Sequence, residues 1–295
     1  MAISHANARN GAIIPALAGV RKNYSALSVD SLSSELGTLA GYRKLHDAGV
    51  RAVLGPARSA TCLIVGYTSA LDALPTLCPW ASSPLLSNSE TFPYFARVYY
   101  SDSSRSASLV AALKHFHFTR FAMIHVDDAW ANQIVGGVRN LYSRKRFQLR
   151  VVRNGGAPAT AESAPIVMST VGFVFQSEAS ARRAVRQLAQ MVQPVNVFVA
   201  IVFDVHAEYV CDEAWEQGLM GPGYVWMEPE GCENELFNAS ADFFGPIPPN
   251  LGAYGYDAVA TLILALDSLP DGTESDGDAV RTALHHLDFE GASGR

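Results

Sequence analysis

Two short apolar stretches, residues 50–54 and 74–78, each run into a cluster of small, hydroxyl-bearing and turn-forming residues. The first empties into Gly55-Pro56-Ala57-Arg58-Ser59. The second empties into Pro79-Trp80-Ala81-Ser82-Ser83-Pro84-Leu85-Leu86-Ser87. Apolar runs of this length, bounded by Gly, Pro and Ser, read as buried strands with a helix between them. Both loops would then leave one sheet at its carboxyl edge, where open α/β folds bind small polar ligands. Serine hydroxyls and the free amides of a helix N-terminus hold a carboxylate without a charged partner. The same clusters also serve as plain strand-to-helix turns, and spacing alone leaves both readings open.

The alternation continues along the chain. Residues 1–10 have the small and apolar content of a helix, stopped by Gly11, and residues 13–29 read as an irregular connection leading to one strand. Leu36, Leu39, Ala40 and Leu45 line one face of a helix ending near Gly49. Residues 92–100 read as extended, and Leu109, Val110, Leu113 and Phe116 repeat at helical spacing. The near-continuous apolar run 121–126 suits a parallel strand covered on both faces, terminated by Asp127-Asp128-Ala129-Trp130. A helix follows through Val135, Val138 and Leu141, with Arg144-Lys145-Arg146 at its solvated end. Residues 147–152 then read as a strand and 154–165 as a Gly-, Ala- and Ser-rich loop.

Ala181, Ala184, Val185, Leu188, Met191 and Val192 form a helical stripe before the strand 195–203. A helix at 208–217, a Gly221-Pro222-Gly223 turn and a strand at 224–227 come next. Residues 228–250 have too few apolar repeats to extend the pattern, and Gly245-Pro246-Ile247-Pro248-Pro249 reads as a rigid connector. Val259, Leu262, Ile263, Leu266 and Leu269 mark a last long helix. Strands alternating with helices imply parallel α/β sheets.

With 295 residues and 49% hydrophobic content, the chain can bury two cores and favours two lobes. A net charge of −6, with no broad basic patch laced with aromatics, argues against nucleic acid. No apolar run reaches the length of a membrane helix, and the N-terminus lacks the pattern of a signal peptide. The four cysteines, Cys62, Cys78, Cys211 and Cys232, lack CxxC spacing, and no histidine completes a metal set. They permit two disulfides or four thiols. Asn23-Tyr24-Ser25 and Asn238-Ala239-Ser240 are glycosylation triplets.

Catalytic motifs are missing: there is no GxSxG, GxxxxGK[ST], HExxH or GxGxxG. His125 lies close to Asp127 and Asp128 at a strand end, but neighbours on a strand point to opposite faces. His285 and His286 read as solvated surface, and Cys62 and Cys78 as structural. Binding is therefore the default. Trp130 either closes over a ligand or plugs the sheet edge. Asp102 either caps the following helix or receives an ammonium group, and Arg58 either pairs with an anion or lies outside the cleft.

Residues 50–56, 81–87 with 92–97, and 121–128 resemble the extracellular ligand-binding region of receptors with a periplasmic-binding-protein type I fold. That family includes class C G-protein-coupled receptors and natriuretic-peptide receptors. The likeness spans almost the whole chain and is greatest to metabotropic GABA receptors, notably over 81–97 and from Cys211 through Tyr224-Val225-Trp226, while 254–259 resembles the family's returning helix and 289–295 its next loop. The resemblance implies that the hydroxyls of Ser59 and Ser82 hold a ligand carboxylate, with a backbone contact from Ala81. It implies that Asp102 receives an α-amino group and that Trp130 stands where a ligand-contacting tyrosine is usual. Glu228 falls near a family acidic contact. The second-lobe tyrosine of the GABA-type branch is absent from Val202-Phe203-Asp204, which argues against GABA itself. Cys211 matches a second-lobe cysteine, so the resemblance favours Cys211–Cys232 over Cys62–Cys78 as a disulfide. Ala57 replaces a common cysteine.

The chain departs from the family by starting partway through the first helix, without the first strand, and by a short 228–250 segment. It ends soon after Phe289. An incomplete gene model or a fragment is the expectation, since a missing central strand leaves unpaired backbone groups. The resulting expectation is a two-lobed α/β fold of parallel sheets flanked by helices. Residues 1–100 would form the first part of lobe 1, 101–250 lobe 2, and 251–295 the return to lobe 1. Its function would be that of a receptor ectodomain sensing an amino acid or related small carboxylate by lobe closure. It would use no cofactor and have no enzymatic activity. The implied partners are a small ligand, a second receptor subunit and a membrane reached through a further segment. The alternatives are a soluble solute-binding protein for amino acids or amides, and a dimerisation module that binds no ligand. An occluded or widely open serine cleft would favour the last.

Overall fold

The computed structural model describes residues 1–151, 166–191, 194–228 and 251–292. The chain divides into two compact units, Met1–Ser101 with Pro248–Arg295, and Asp102–Ile247.

The first unit carries a parallel sheet in the order β1-β2-β3, with β1 at Val53–Leu54, β2 at Thr76–Cys78 and β3 at Phe95–Arg97. Val53 pairs with Thr76, and Cys78 pairs with Arg97. Helices α1 (Ala2–Asn7), α2 (Glu35–Asp47) and α3 (Ser59–Asp72) precede or separate these strands. The unit is completed by α8 (Leu251–Ser268) and α9 (Gly277–His286). The strands are shorter than the apolar runs that announce them. Residues 50–52 are outside the ladder, and Leu54 is exposed.

Two expectations are corrected here. Residues 13–29 are the irregular connection expected, with a 3-10 turn at Pro15–Gly19, but the strand expected to follow them does not form before α2. This segment is tied to α8 instead, with the amides of Arg21 and Lys22 donating to the Asp267 carboxylate at 3.0 and 2.9 Å. Helix α2 forms as expected, with Ser34 capping its start by accepting from the Gly37 amide. However, it buries Thr38, Gly41 and Tyr42 and leaves Leu36 and Leu39 in solvent. Tyr42 donates a hydrogen bond to Asp72 of α3 at 3.0 Å, which sets the packed face.

The second unit holds α4 (Arg105–His115), β4 (Arg120–Val126), α5 (Ala129–Val151), β5 (Ile166–Phe173), α6 (Glu178–Ala189), β6 (Val197–Ile201), α7 (Asp204–Glu216) and β7 (Val225–Met227). Its sheet runs β5-β4-β6-β7, all parallel. Every residue of β4 from Phe121 to Val126 and every residue of β6 is buried. Strands covered by helices on both faces need apolar side chains at every position, which is why these two runs were legible in the sequence.

The expected strand at 147–152 is not formed, because α5 continues through Val151. No Gly or Pro interrupts residues 138–153, and Arg, Lys, Leu and Gln are good helix formers. The strand beside β4 is Ile166–Phe173, whose apolar run is broken by Ser169, Thr170 and Gly172. The stripe Ala181, Ala184, Val185 and Leu188 is buried on α6 as expected. On the outer side of α6, Arg186 forks onto Glu213 of α7 with bonds of 2.8 and 2.9 Å. This charge-assisted pairing holds the Glu213 carboxyl below its usual range.

Candidate functional site

β1 and β2 are adjacent and parallel, so the loops that follow them emerge together at one edge of the first sheet. The first loop turns at Gly55, whose φ of +92° is a conformation that side chains with a Cβ rarely adopt. It delivers Ser59 as the first residue of α3. The second loop delivers Ala81, Ser82 and Ser83, then a 3-10 turn at Pro84–Ser87. The loops touch: the Ser83 amide donates to the Ser59 hydroxyl at 3.1 Å. Ser59 and Ser82 are each 3% exposed, and Ala81 is fully buried. Thus three of the candidate residues gather at one place, more enclosed than serines awaiting a ligand in open solvent.

Two devices hold this arrangement. The Cys62–Cys78 disulfide joins the first turn of α3 to the last residue of β2. It packs with Ala81, Leu86, Phe92 and Phe95 in a small apolar cluster. Arg97, at the end of β3, donates from Nη1 to the carbonyls of Ala81 (3.3 Å) and Ser83 (2.9 Å), and from Nη2 to the Ser87 hydroxyl. Sequence reasoning missed Arg97 as the group that shapes the loop. Its signal was a lone cation closing an apolar run. Arg58 points elsewhere, with Nη1 donating to the Ser33 carbonyl at 2.7 Å.

In the second unit Asp102 is buried and forms an ion pair with Arg105 at 2.8 Å. Ser104, not Asp102, stands at the N-cap of α4. Trp130, the second residue of α5, is 3% exposed and stacks on Phe203 with ring centroids 4.7 Å apart. Its indole N–H has no acceptor among the described residues. Ser106 of α4 donates to the Ile134 carbonyl of α5 at 3.0 Å, which the missing side chain of Gly137 permits.

The expected Cys211–Cys232 pairing is overturned. Among the described residues the cysteine pair formed is Cys62–Cys78, while Cys211 is a free, buried thiol. Burial, with Glu228 and Asp212 adding to it, pushes the Cys211 thiol up to about 12, so it stays protonated and inert. Cys232 lies outside the described residues. Glu228, just after β7, is half-buried.

Among the described residues no catalytic relay forms around His125. Its Nδ1 donates to the Val126 carbonyl at 3.0 Å. Asp128 caps α5 by accepting from the Trp130 and Ala131 amides, and Asp127 accepts from Asn132. Gly172, opposite His125 in the ladder, leaves room for the ring, which a Cβ would meet at 3.0 Å. Burial drives the His125 pKa below the ordinary histidine value of 6.5. The unfolded chain therefore binds this proton more readily than the folded one. The stability contribution is complete above pH 6.5 and is lost as pH falls below it toward the folded pKa. One proton limits the slope to about 1.4 kcal/mol per pH unit. Urea unfolding at pH 7.5, 6.5 and 5.5 is expected to reveal this decline, and His125→Gln to flatten it.

Among the described residues no group of His, Cys, Asp and Glu is placed to hold a metal, and no helix is long and apolar enough to cross a membrane. Parallel sheets flanked by helices, in two units, define an α/β binding-protein architecture of the periplasmic-binding-protein-like type I class. Residues 1–242 match the family described as "Receptor family ligand binding region", and the chain belongs to that family. It is 25% identical over 288 residues to metabotropic glutamate receptor-like protein E of Dictyostelium discoideum, covering 83% of this chain and 32% of the relative. It is 26% identical over 187 residues to glutamate receptor 2.2 of Arabidopsis thaliana, covering 63% and 18%. Taste receptor type 1 member 3 of the dog matches at 34% over 84 residues, covering 28% and 10%. The chain thus spans a third or less of the length of these relatives.

Proposed function

We propose that this chain is ligand-binding ectodomain sequence from a membrane receptor that senses an amino acid or related small carboxylate and signals by lobe closure. The observation that carries this reading is the meeting of Ser59 with the Ala81–Ser83 loop at the carboxyl edge of the first sheet. Hydroxyls and backbone amides there, at the start of α3, suit a carboxylate. Asp102 as a candidate ammonium contact and Trp130 as a candidate aromatic contact belong to this proposal as well. The relatives named as glutamate and taste receptors support a sensing rather than a catalytic role. Dimerisation, membrane attachment through a further segment, and the specific likeness to metabotropic GABA receptors belong to this proposal.

A thermal-shift screen against amino acids tests it. At a ligand concentration of about 100 Kd, stabilisation of about 2.7 kcal/mol is expected, and Ser59→Ala plus Ser82→Ala should abolish it. Ser59→Ala also leaves the buried Ser83 amide without its acceptor, which costs about 1–3 kcal/mol with no ligand present. The ligand-induced shift, not the absolute midpoint, is therefore the readout. An unchanged shift would put the ligand elsewhere.

The 3% exposure of Ser59 and Ser82 supports a second reading, a family module that contributes to dimerisation without binding a small ligand. Absence of any saturable shift in the same screen would favour it.

A further inference from the structure

The carboxyl edge of the first sheet carries an aromatic strip beside the serine loops. Cys78 of β2 pairs with Arg97 of β3, so Trp80 and Tyr99 each stand two residues past a paired position. Both residues lie in the bends that end these two neighbouring strands, about 5 Å apart where the ladder stops. Trp80 immediately precedes Ala81 and Ser82. Its indole lies against Gly255 of α8, where a Cβ would come within 3.2 Å of the ring. Tyr254, next to that glycine, meets the Tyr99 ring edge-on at 5.0 Å. Tyr99 in turn stacks on Tyr100 at 4.2 Å, and Tyr100 is 55% exposed.

Two features decide which ligand side chain suits this strip. The phenol groups of Tyr99 and Tyr100 are bonded to each other at 2.9 Å, so the pair presents ring faces more than polar edges. The two arginines flanking the serine loops are engaged with carbonyls, Arg97 at Ala81 and Ser83 and Arg58 at Ser33. A ligand bearing a second carboxylate would compete with those carbonyls for the guanidinium groups. An added aromatic ring extends the edge-to-face and stacked arrangement already present. A cationic side chain is also attracted to tyrosine faces, but Asp257, the acid that follows Tyr254 on α8, accepts from the Ala292 amide at 2.6 Å.

We propose that the ligand is a free aromatic α-amino acid. Its carboxylate would sit at Ser59 and Ser82, and its ring would lie on the strip formed by Trp80, Tyr254, Tyr99 and Tyr100. This inference rests on the carboxylate reading of the serine loops.

Calorimetric and thermal-shift titrations of the full chain with L-phenylalanine, L-glutamate, L-lysine and glycine test it. Phenylalanine is expected to bind about tenfold or more tighter than the other three. Tyr99→Ala plus Tyr100→Ala should cut phenylalanine affinity about tenfold and leave glycine affinity unchanged. Tyr99→Phe plus Tyr100→Phe, which keeps the rings, should retain phenylalanine binding and so separates lost contact from lost fold. Glutamate or lysine binding as tightly as phenylalanine, with loss in the Ser59→Ala plus Ser82→Ala variant, would overturn the aromatic assignment and leave the serine site standing. No response to any of the four probes would overturn both.

Discussion

Replacing Cys62 and Cys78 by alanine is expected to lower the stability of the first unit by about 3 kcal/mol. The bridge closes a loop with a sequence separation of 16 residues, and the stabilisation from closing a loop of that size is of this order. A reductant should shift the urea midpoint of the natural chain by a similar amount and leave the double variant unmoved. Cys211→Ala should keep the full response to reductant, because Cys211 is a free thiol. Hydrogen exchange should locate the loss at residues 59–87, where α3, β2 and the serine loop meet. A reductant-insensitive midpoint in the natural chain would refute the Cys62–Cys78 pairing. The consequence reaches the candidate site directly, since the bridged elements carry Ser59 on one side and Ala81 and Ser82 on the other.

Arg97→Met is expected to loosen the same loop from its other end. The guanidinium donates to two carbonyls and one hydroxyl of residues 81–87, and hydrogen bonds involving a charged group contribute about 1.5–3 kcal/mol each. Because Ala81 and Ser83 are fully buried, their carbonyls lose a donor that water does not replace, and a net loss of about 3 kcal/mol or more is expected. Arg97→Lys should recover only part of it, as an ammonium cannot reproduce the planar fork that reaches Ala81, Ser83 and Ser87 together. The measurements are unfolding midpoints and the exchange rates of amides in residues 81–87. If those amides exchange as slowly in the Met variant as in the natural chain, Arg97 does not hold the loop.

Legibility in the sequence followed burial. β4 and β6 are covered on both faces, so their apolar runs had one reading, and the buried stripe of α6 had one as well. The strand β5 was missed because Ser169, Thr170 and Gly172 interrupt it. Gly172 is there to admit the His125 ring from the next strand, a requirement that no local pattern expresses. Residues 147–151 alternate enough to suggest a strand, yet join α5 because nothing in 138–153 stops a helix. The apolar face read on α2 was the wrong one, since the Tyr42–Asp72 bond and the burial of Gly41 orient the helix by its polar and small residues.

The candidate site divides in the same way. Ser59, Ala81 and Ser82 were legible because hydroxyl-rich loops ending two successive parallel strands must emerge at one sheet edge. The tyrosine cluster was not, since Tyr99 and Tyr254 are more than 150 positions apart in the chain. Nor was the disulfide, because four cysteines allow several pairings and only the proximity of α3 to the end of β2 selects one.

By itself, then, the sequence determined the alternating α/β pattern, the buried strands and the two serine loops, because these depend on periodicity and on turn chemistry within a few residues. The tertiary structure alone decided the cysteine pairing, the enclosure of Ser59 and Ser82, the roles of Arg97 and Asp128, and the company kept by Trp130. Those depend on which side chains meet across strands and helices, and that is set by packing between segments distant in the chain.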